Sequence, residues 1–234
     1  MIIYFTKEQE KACETEENTA VFYAGATYDG QNRYNASSAA NEYAKEVGGT
    51  TIDLNFEEQG IEWPEDREIG RQLSQMYAEN ACGDVKVFLG DNDAYNKSEM
   101  PTKGLDPNGV RHPLNTWDTV ECPALLSNDK ISSITVYDPK TQEEIIACDR
   151  SQGNGETEDM VRQYNKYLES KGSELRYGLS KSGNVRQCSK VALDKDGSHI
   201  APEYDTTAIR IRDIINSYEP PENSIDLTLE NEND

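Results

Sequence analysis

Histidine is almost absent from this chain: His112 and His199 are the only two among 234 residues. That shortage argues against a histidine-based metal centre and leaves little material for a nucleophile–histidine triad. The five cysteines, Cys13, Cys82, Cys122, Cys148 and Cys188, contain no C-x-x-C pair and no zinc spacing; an odd count without a signal peptide points to free thiols. Long apolar runs are missing too, since no stretch approaches the roughly 18 residues of a membrane span. The opening MIIYFTKEQEK turns polar after five apolar residues, too few for a secretory signal. The expected location is the cytoplasm, or that of an effector exported by another route. Positive charge is scarce: 23 Lys and Arg face 44 Asp and Glu, a formal net charge of -21. Such a field repels nucleic acid and anionic membranes, so neither is an expected partner. The plain role of the acidity is solubility, and a nucleotide ligand would need locally placed cations or backbone N–H groups.

What is present organises as alternating strands and helices, which predicts an α/β or α+β fold with a small central sheet flanked by helices. TKEQEKACET (6–15) suggests a short Thr-capped helix and TAVFYAG (19–25) a strand ending in glycine. NASSAANEYAKEVGG places Ala36, Ala39, Ala40, Tyr43, Ala44 and Val47 at helical spacing, with Asn35 as cap and Gly48 as stop. TTIDL (50–54) predicts a strand. PEDREIGRQLSQMYAENAC (64–82) predicts a helix burying Ile69, Leu73, Met76, Tyr77 and Ala81, and DVKVFLG (84–90) a strand. Residues 91–114 form a polar loop with Gly and Pro, of a length that suits function; Asn96-Lys97-Ser98 and Asn35-Ala36-Ser37 match the glycosylation pattern by chance. NTWDTVECPAL (115–125) predicts a short buried strand and then a turn of helix. ISSITVYDP and EEIIACD follow as a strand pair, GETEDMVRQYNKYLESKG (155–172) as a helix and NVRQCSKVAL (184–193) as a strand. Residues 206–221 fit both periods. The expected organisation is one domain over 1–219 with an acidic disordered tail over 220–234.

Two stretches carry chemistry. On the helix 64–82, Ser74 lies about 100° around from Leu73, at the rim of the apolar face; a solvated serine is the ordinary alternative. On the strand over 116–121, alternation puts Trp117, Thr119 and Glu121 on one side. A glutamate at a strand end is ordinarily a solvated edge residue. Beside an indole it becomes a site for a flat or cationic ligand, the ring giving a stacking face and the carboxylate a negative charge.

SQMYAENACGDVKVFLG, followed by a loop and then NTWDTVECPAL, resembles the ADP-ribosyl cyclase / NAD glycohydrolase family, and in its Glu-x-Pro-x-Leu ending the bacterial toxin-domain relatives. GGTTIDL is similar to the family's Thr-Leu-Glu segment, and FYAG stands where its first active-site aromatic lies. The resemblance covers roughly residues 20–140. It implies that Glu121 is catalytic, that Thr116 and Trp117 contact ligand, and that Ser74 contacts phosphate. It also implies that Asp53 faces the nicotinamide and that Tyr23 replaces the first tryptophan. The sequence departs at Gly70, where the family has a second tryptophan, and at Gly25, near the place of an arginine; Arg33 or Arg71 could compensate. Cys82 falls where one cysteine of the secreted members' disulfides lies.

The activity this implies is hydrolysis of NAD or NADP to nicotinamide and ADP-ribose, with cyclic ADP-ribose as a minor product. NAD is then substrate rather than cofactor, no metal is needed, and a protein inhibitor or immunity partner fits a toxin-like role. An open wall at Gly70 would favour water over adenine as the attacking group. Two alternatives differ in class: a catalytically inactive NAD- or ADP-ribose-binding or acidic interaction protein, and an ADP-ribosyltransferase, for which no Glu-x-Glu context stands out.

Overall fold

The computed structural model describes residues 4–29, 31–90, 116–173, 175–180 and 182–189. The loop 91–114, both histidines, Asn96-Lys97-Ser98, the segment 206–221 and the acidic tail lie outside them. All described residues belong to one unit, Met1–Ala201.

Helix α1 (Lys7–Ala12) opens on a Thr6 capping box, and β1 (Val21–Ala24) follows. Gly25, at φ +72°, turns the chain out of β1 into a hairpin of β2 (Ala26–Asp29) and β3 (Asn32–Asn35). A side chain there would meet the steric barrier of the left-handed region. Helix α2 (Ala36–Val47) buries Ala36, Ala40 and Ala44 and stops at left-handed Gly48, as its spacing predicts. Next come α3 (Ile52–Gln59), α4 (Arg67–Asn80) and β4 (Gly83–Leu89). A five-residue π-helix (Trp117–Glu121) leads into α5 (Cys122–Ser127). Then follow β5 (Ile131–Tyr137), β6 (Glu144–Asp149), α6 (Thr157–Ser170), β7 (Leu175–Leu179) and β8 (Val185–Ser189).

The α/β expectation holds. A four-stranded sheet runs in the order β1-β4-β5-β6, with β1, β4 and β5 parallel and β6 antiparallel at the edge. Alternation along β4 divides the interior. Val85 and Val87 join the larger core with Phe22, Leu73, Tyr77, Leu125 and Met160, whereas Phe88 joins Val21, Tyr137 and the alanines of α2 on the other side. The sheet is therefore covered on both faces, as parallel strands require. Among the described residues no helix is long and apolar enough to cross a membrane. Cys13, Cys82, Cys122 and Cys148 are free thiols; Cys13 donates its S–H to the Leu73 carbonyl, and burial pushes its thiol up to about 12.

Two predicted strands are helical instead. At 50–54, only Thr50 reaches the sheet, through a single bridge to Ala20. Thr51 then accepts the Leu54 N–H and starts α3, whose Ile52 and Phe56 go inward one turn apart; the cap outweighs the β-branched composition. At 117–121, alternation fails because Trp117, Asp118 and Glu121 are buried while Thr119 and Val120 are half-exposed. Pro123 supplies the physical reason. It has no N–H for the Thr119 carbonyl and its ring crowds that group, so the turn ahead of it widens. The Cys122 N–H reaches back to the Trp117 carbonyl, and the Tyr177 hydroxyl donates to the Asp118 carbonyl. Asn35 occupies the cap position of α2 but makes no capping bond through its side chain.

Where the hairpin leaves β1, it crosses the end of β4. The Gly90 N–H donates to the Ala24 carbonyl, and a Cβ on Gly90 would collide with the backbone of Ala26. Gly90→Ala must therefore lift β2 off β4. We expect a loss of about 2 kcal/mol or more, read as a lower urea midpoint; an unchanged midpoint would show that the hairpin is not seated there.

Candidate active site

Parallel sheets bind ligands beyond the carboxyl ends of their strands, and a cavity of about 440 Å³ opens at that end of β1. Its size lies within the range of roughly 300–1,000 Å³ usual for small-molecule sites. Val21 to Gly25 form one wall. Asp53 comes from the first turn of α3, Ser74 and Tyr77 from α4, and Thr116, Trp117 and Glu121 from the N-cap, first and last positions of the π-helix. Arg33 and Asn35 of β3 and Ser37 of α2 complete the rim, with Trp63 from the loop between α3 and α4.

Seven of the eight residues singled out in the sequence thus line one cavity: Tyr23, Arg33, Asp53, Ser74, Thr116, Trp117 and Glu121. The eighth, Arg71, is not among them; it is exposed and donates to the Thr119 hydroxyl at 3.3 Å. Of the two arginines offered as compensation for Gly25, Arg33 is the one at the cavity. It is the single cation among the described lining residues, against the carboxylates of Asp53 and Glu121.

Glu121 is 7% exposed, which excludes the solvated edge residue. Trp117 and Glu121 still share a face, now as neighbours one helical turn apart rather than along a strand. Burial pushes the Glu121 carboxyl up to about 8; the Ser74 hydroxyl pulls the other way, and the charges of Asp53 and Asp118 add to the rise. Ser74, 5% exposed, is likewise no solvated serine. It lines the cavity with Glu121 and favours that carboxyl's ionised form.

The second carboxylate is held from another side. The Tyr23 hydroxyl donates to Asp53 Oδ2 at 2.6 Å, and burial together with the Asp53 charge raises the phenol well above its ordinary range. Tyr77 donates to the Thr50 carbonyl at 2.8 Å, tying α4 to the start of α3 beneath the cavity. Among the described residues no group of three His, Cys, Asp or Glu side chains is placed to hold a metal ion.

Both aromatic residues singled out in the sequence, Tyr23 and Trp117, line the cavity, but Trp117 exposes little of its ring. Trp117 is 1% exposed, packs at 5.9 Å against Phe22 and donates its indole N–H to the Tyr164 hydroxyl at 3.2 Å. It touches the cavity as part of the core, with little ring face to offer. Gly70 leaves no open wall either. The indole of Trp63 lies over it, so close that a Cβ would come within 3.1–3.3 Å of the ring. Trp63, 43% exposed, is the lining residue that sequence reasoning missed. Its signal was indirect: a lone glycine inside a helix asks for a neighbour that needs the space.

No protein-family model matches the chain, and no curated protein is significantly similar to it.

Glu121 has a sign-determined effect on stability. Its carboxyl titrates near 8 in the folded chain against an ordinary value of 4.5. Below about pH 4.5 both states keep the proton and burial carries no penalty. As pH rises towards 8 the unfolded chain ionises first, so folding weakens. Glu121→Gln removes this loss. We expect the variant to gain stability relative to wild type between pH 5 and pH 8, by on the order of 3 kcal/mol at the upper end. Paired urea melts at the two pH values read it; equal differences at both would show that Glu121 titrates normally.

Proposed function

We propose that this protein cleaves NAD or NADP at the nicotinamide N-glycosidic bond, giving nicotinamide and ADP-ribose, with cyclic ADP-ribose as a minor product. The observation that carries the reading is Glu121: a buried carboxyl on the wall of a cavity that also holds Asp53 and aromatic rings. Resemblance of SQMYAENACGDVKVFLG and NTWDTVECPAL to the ADP-ribosyl cyclase / NAD glycohydrolase family supports it independently of the geometry.

The chemistry suits a site rich in carboxylates. Nicotinamide is bonded to the ribose as a pyridinium and leaves neutral: the C–N bond breaks with its electron pair going to the ring nitrogen, and no acid is required. Positive charge develops on the ribose carbon, as in glycoside hydrolysis. Ionised Glu121, poorly solvated and close by, stabilises that charge more strongly than water does. Water then adds to the carbon and releases one proton. Arrival of the pyridinium beside Glu121 and Asp53 favours the ionised carboxyl, since an opposite charge at close range lowers a raised carboxyl pKa. Asp53, held by Tyr23, adds to the negative field around the leaving ring. Arg33, with the backbone N–H groups at the start of α2, supplies the positive side of the cavity for the pyrophosphate.

A second reading, binding of ADP-ribose without turnover, is favoured by one feature: a Glu121 that keeps its proton at neutral pH does not repel an anion. Product analysis separates the two. Incubation with NAD should release nicotinamide in an amount equal to linear and cyclic ADP-ribose together, and Glu121→Gln should lower the rate by about 100-fold or more. Since Glu121 must ionise to act, kcat/KM should rise with pH along a limb centred near the 8 of the free carboxyl, and the limb should vanish in Glu121→Gln. Intact NAD with saturable heat in calorimetry would establish the binder; equal rates for wild type and Glu121→Gln would remove the role given to Glu121.

A further inference from the structure

Gly70 stands in the interior of α4, where alanine would favour the helix by about 1 kcal/mol. The helix itself therefore gives no reason for a glycine. Space does. Trp63 Nε1, Cζ2 and Cε2 would lie 3.1, 3.2 and 3.3 Å from a Cβ at this position, tighter than ordinary van der Waals contact. Phe56, buried in the larger core, meets the same indole with ring centroids 5.1 Å apart at 50°. Between Gly70 and Phe56 the indole has a fixed seat, yet Trp63 stays 43% exposed and lines the cavity. One turn along α4 from Gly70, Ser74 lines the same cavity as Glu121. Trp117, by contrast, has its ring buried and its N–H committed to Tyr164.

From this placement we propose that Gly70 is a positioning residue: its missing side chain seats Trp63 against α4 as the stacking wall for the planar cationic ring of the ligand. The inference rests on the reading of the cavity as a site for NAD or NADP. An indole face is the strongest aromatic partner for a cation. A wall set on a helix is also more sharply positioned than one carried by a loop alone. The methyl of Gly70→Ala, which is too far inside the helix packing to meet the ligand itself, must act by displacing the indole a few tenths of an ångström or more.

Gly70→Ala, Trp63→Ala, Trp63→Phe and the double variant Gly70→Ala/Trp63→Ala decide it. Affinity for a non-cleavable carbocyclic NAD analogue is measured by calorimetry, KM and kcat for NAD by product release, and folding by thermal melting. Gly70→Ala should weaken the analogue about fivefold to tenfold, with a melting temperature no lower than that of wild type. Trp63→Ala should weaken it at least as much, and Trp63→Phe should restore most of the loss. The decisive result is the cycle: in the Trp63→Ala background, Gly70→Ala should cost nothing further. Equal losses in both backgrounds would overturn the proposal, because the methyl would then act without Trp63. Full affinity in Trp63→Ala, with NAD still cleaved, would overturn it while leaving the activity standing. Wild-type protein that neither binds the analogue nor cleaves NAD would overturn both.

Discussion

The burial of one carboxyl, that of Glu121, is the constraint on which the rest of the site depends. A carboxylate withdrawn from water is costly unless hydrogen-bonded or paired. Here the Ser74 hydroxyl favours the ionised form, while the charges of Asp53 and Asp118 have the wrong sign to help. The chain therefore holds a proton on Glu121 near neutral pH and keeps an electrostatic debt in the folded state. A cation entering the cavity relieves it. Stability and function are in opposition at this residue, as is common where activity needs a destabilised group.

Packed neighbours from several elements hold Glu121 in place. The widened turn ahead of Pro123 sets the direction of the side chain, and the Tyr177 bond to the Asp118 carbonyl keeps that turn from relaxing. Trp117 anchors the other end through Tyr164 and Phe22. Helix α4 contributes Ser74 and Tyr77 from one face, and the Tyr77 ring packs tilted at 55° against Phe22 in the wall of β1, with centroids 4.9 Å apart. The carboxyl is thus carried on packed elements from several parts of the chain, which is what a site needs if small displacements are to be resisted.

Much of this was legible from the sequence, and the failures have physical causes. Strands β1, β4, β5 and β6 and helices α2, α4 and α6 carry strong apolar patterns and stand where those patterns put them. Trp117 and Glu121 share a face in either a strand or a helical turn, so their pairing was readable although the backbone was not; Pro123 was the clue against the strand. Thr50-Thr51 looked like strand because its β-branched side chains hid the capping role of Thr51. The hairpin of β2 and β3 and the strand β7 were missed. The first is mostly polar, and the second takes its place from packing of Tyr177 against Tyr164 and from the Asn165 bonds to its backbone. The choice between Arg33 and Arg71, and the seat of Trp63 on Gly70, are tertiary facts that no local spacing contains.

The most direct test of the account observes Glu121 itself. With glutamate side-chain carboxyls labelled with carbon-13, the NMR resonance that is lost in Glu121→Gln is followed through a pH titration, free and with a non-cleavable carbocyclic NAD analogue bound. A carboxyl buried as Glu121 is should show a midpoint near 8 in the free protein, well above the ordinary glutamate range, and a fall in that midpoint when the pyridinium is present. A midpoint in the ordinary glutamate range, or one that the bound cation leaves unmoved, would contradict the account.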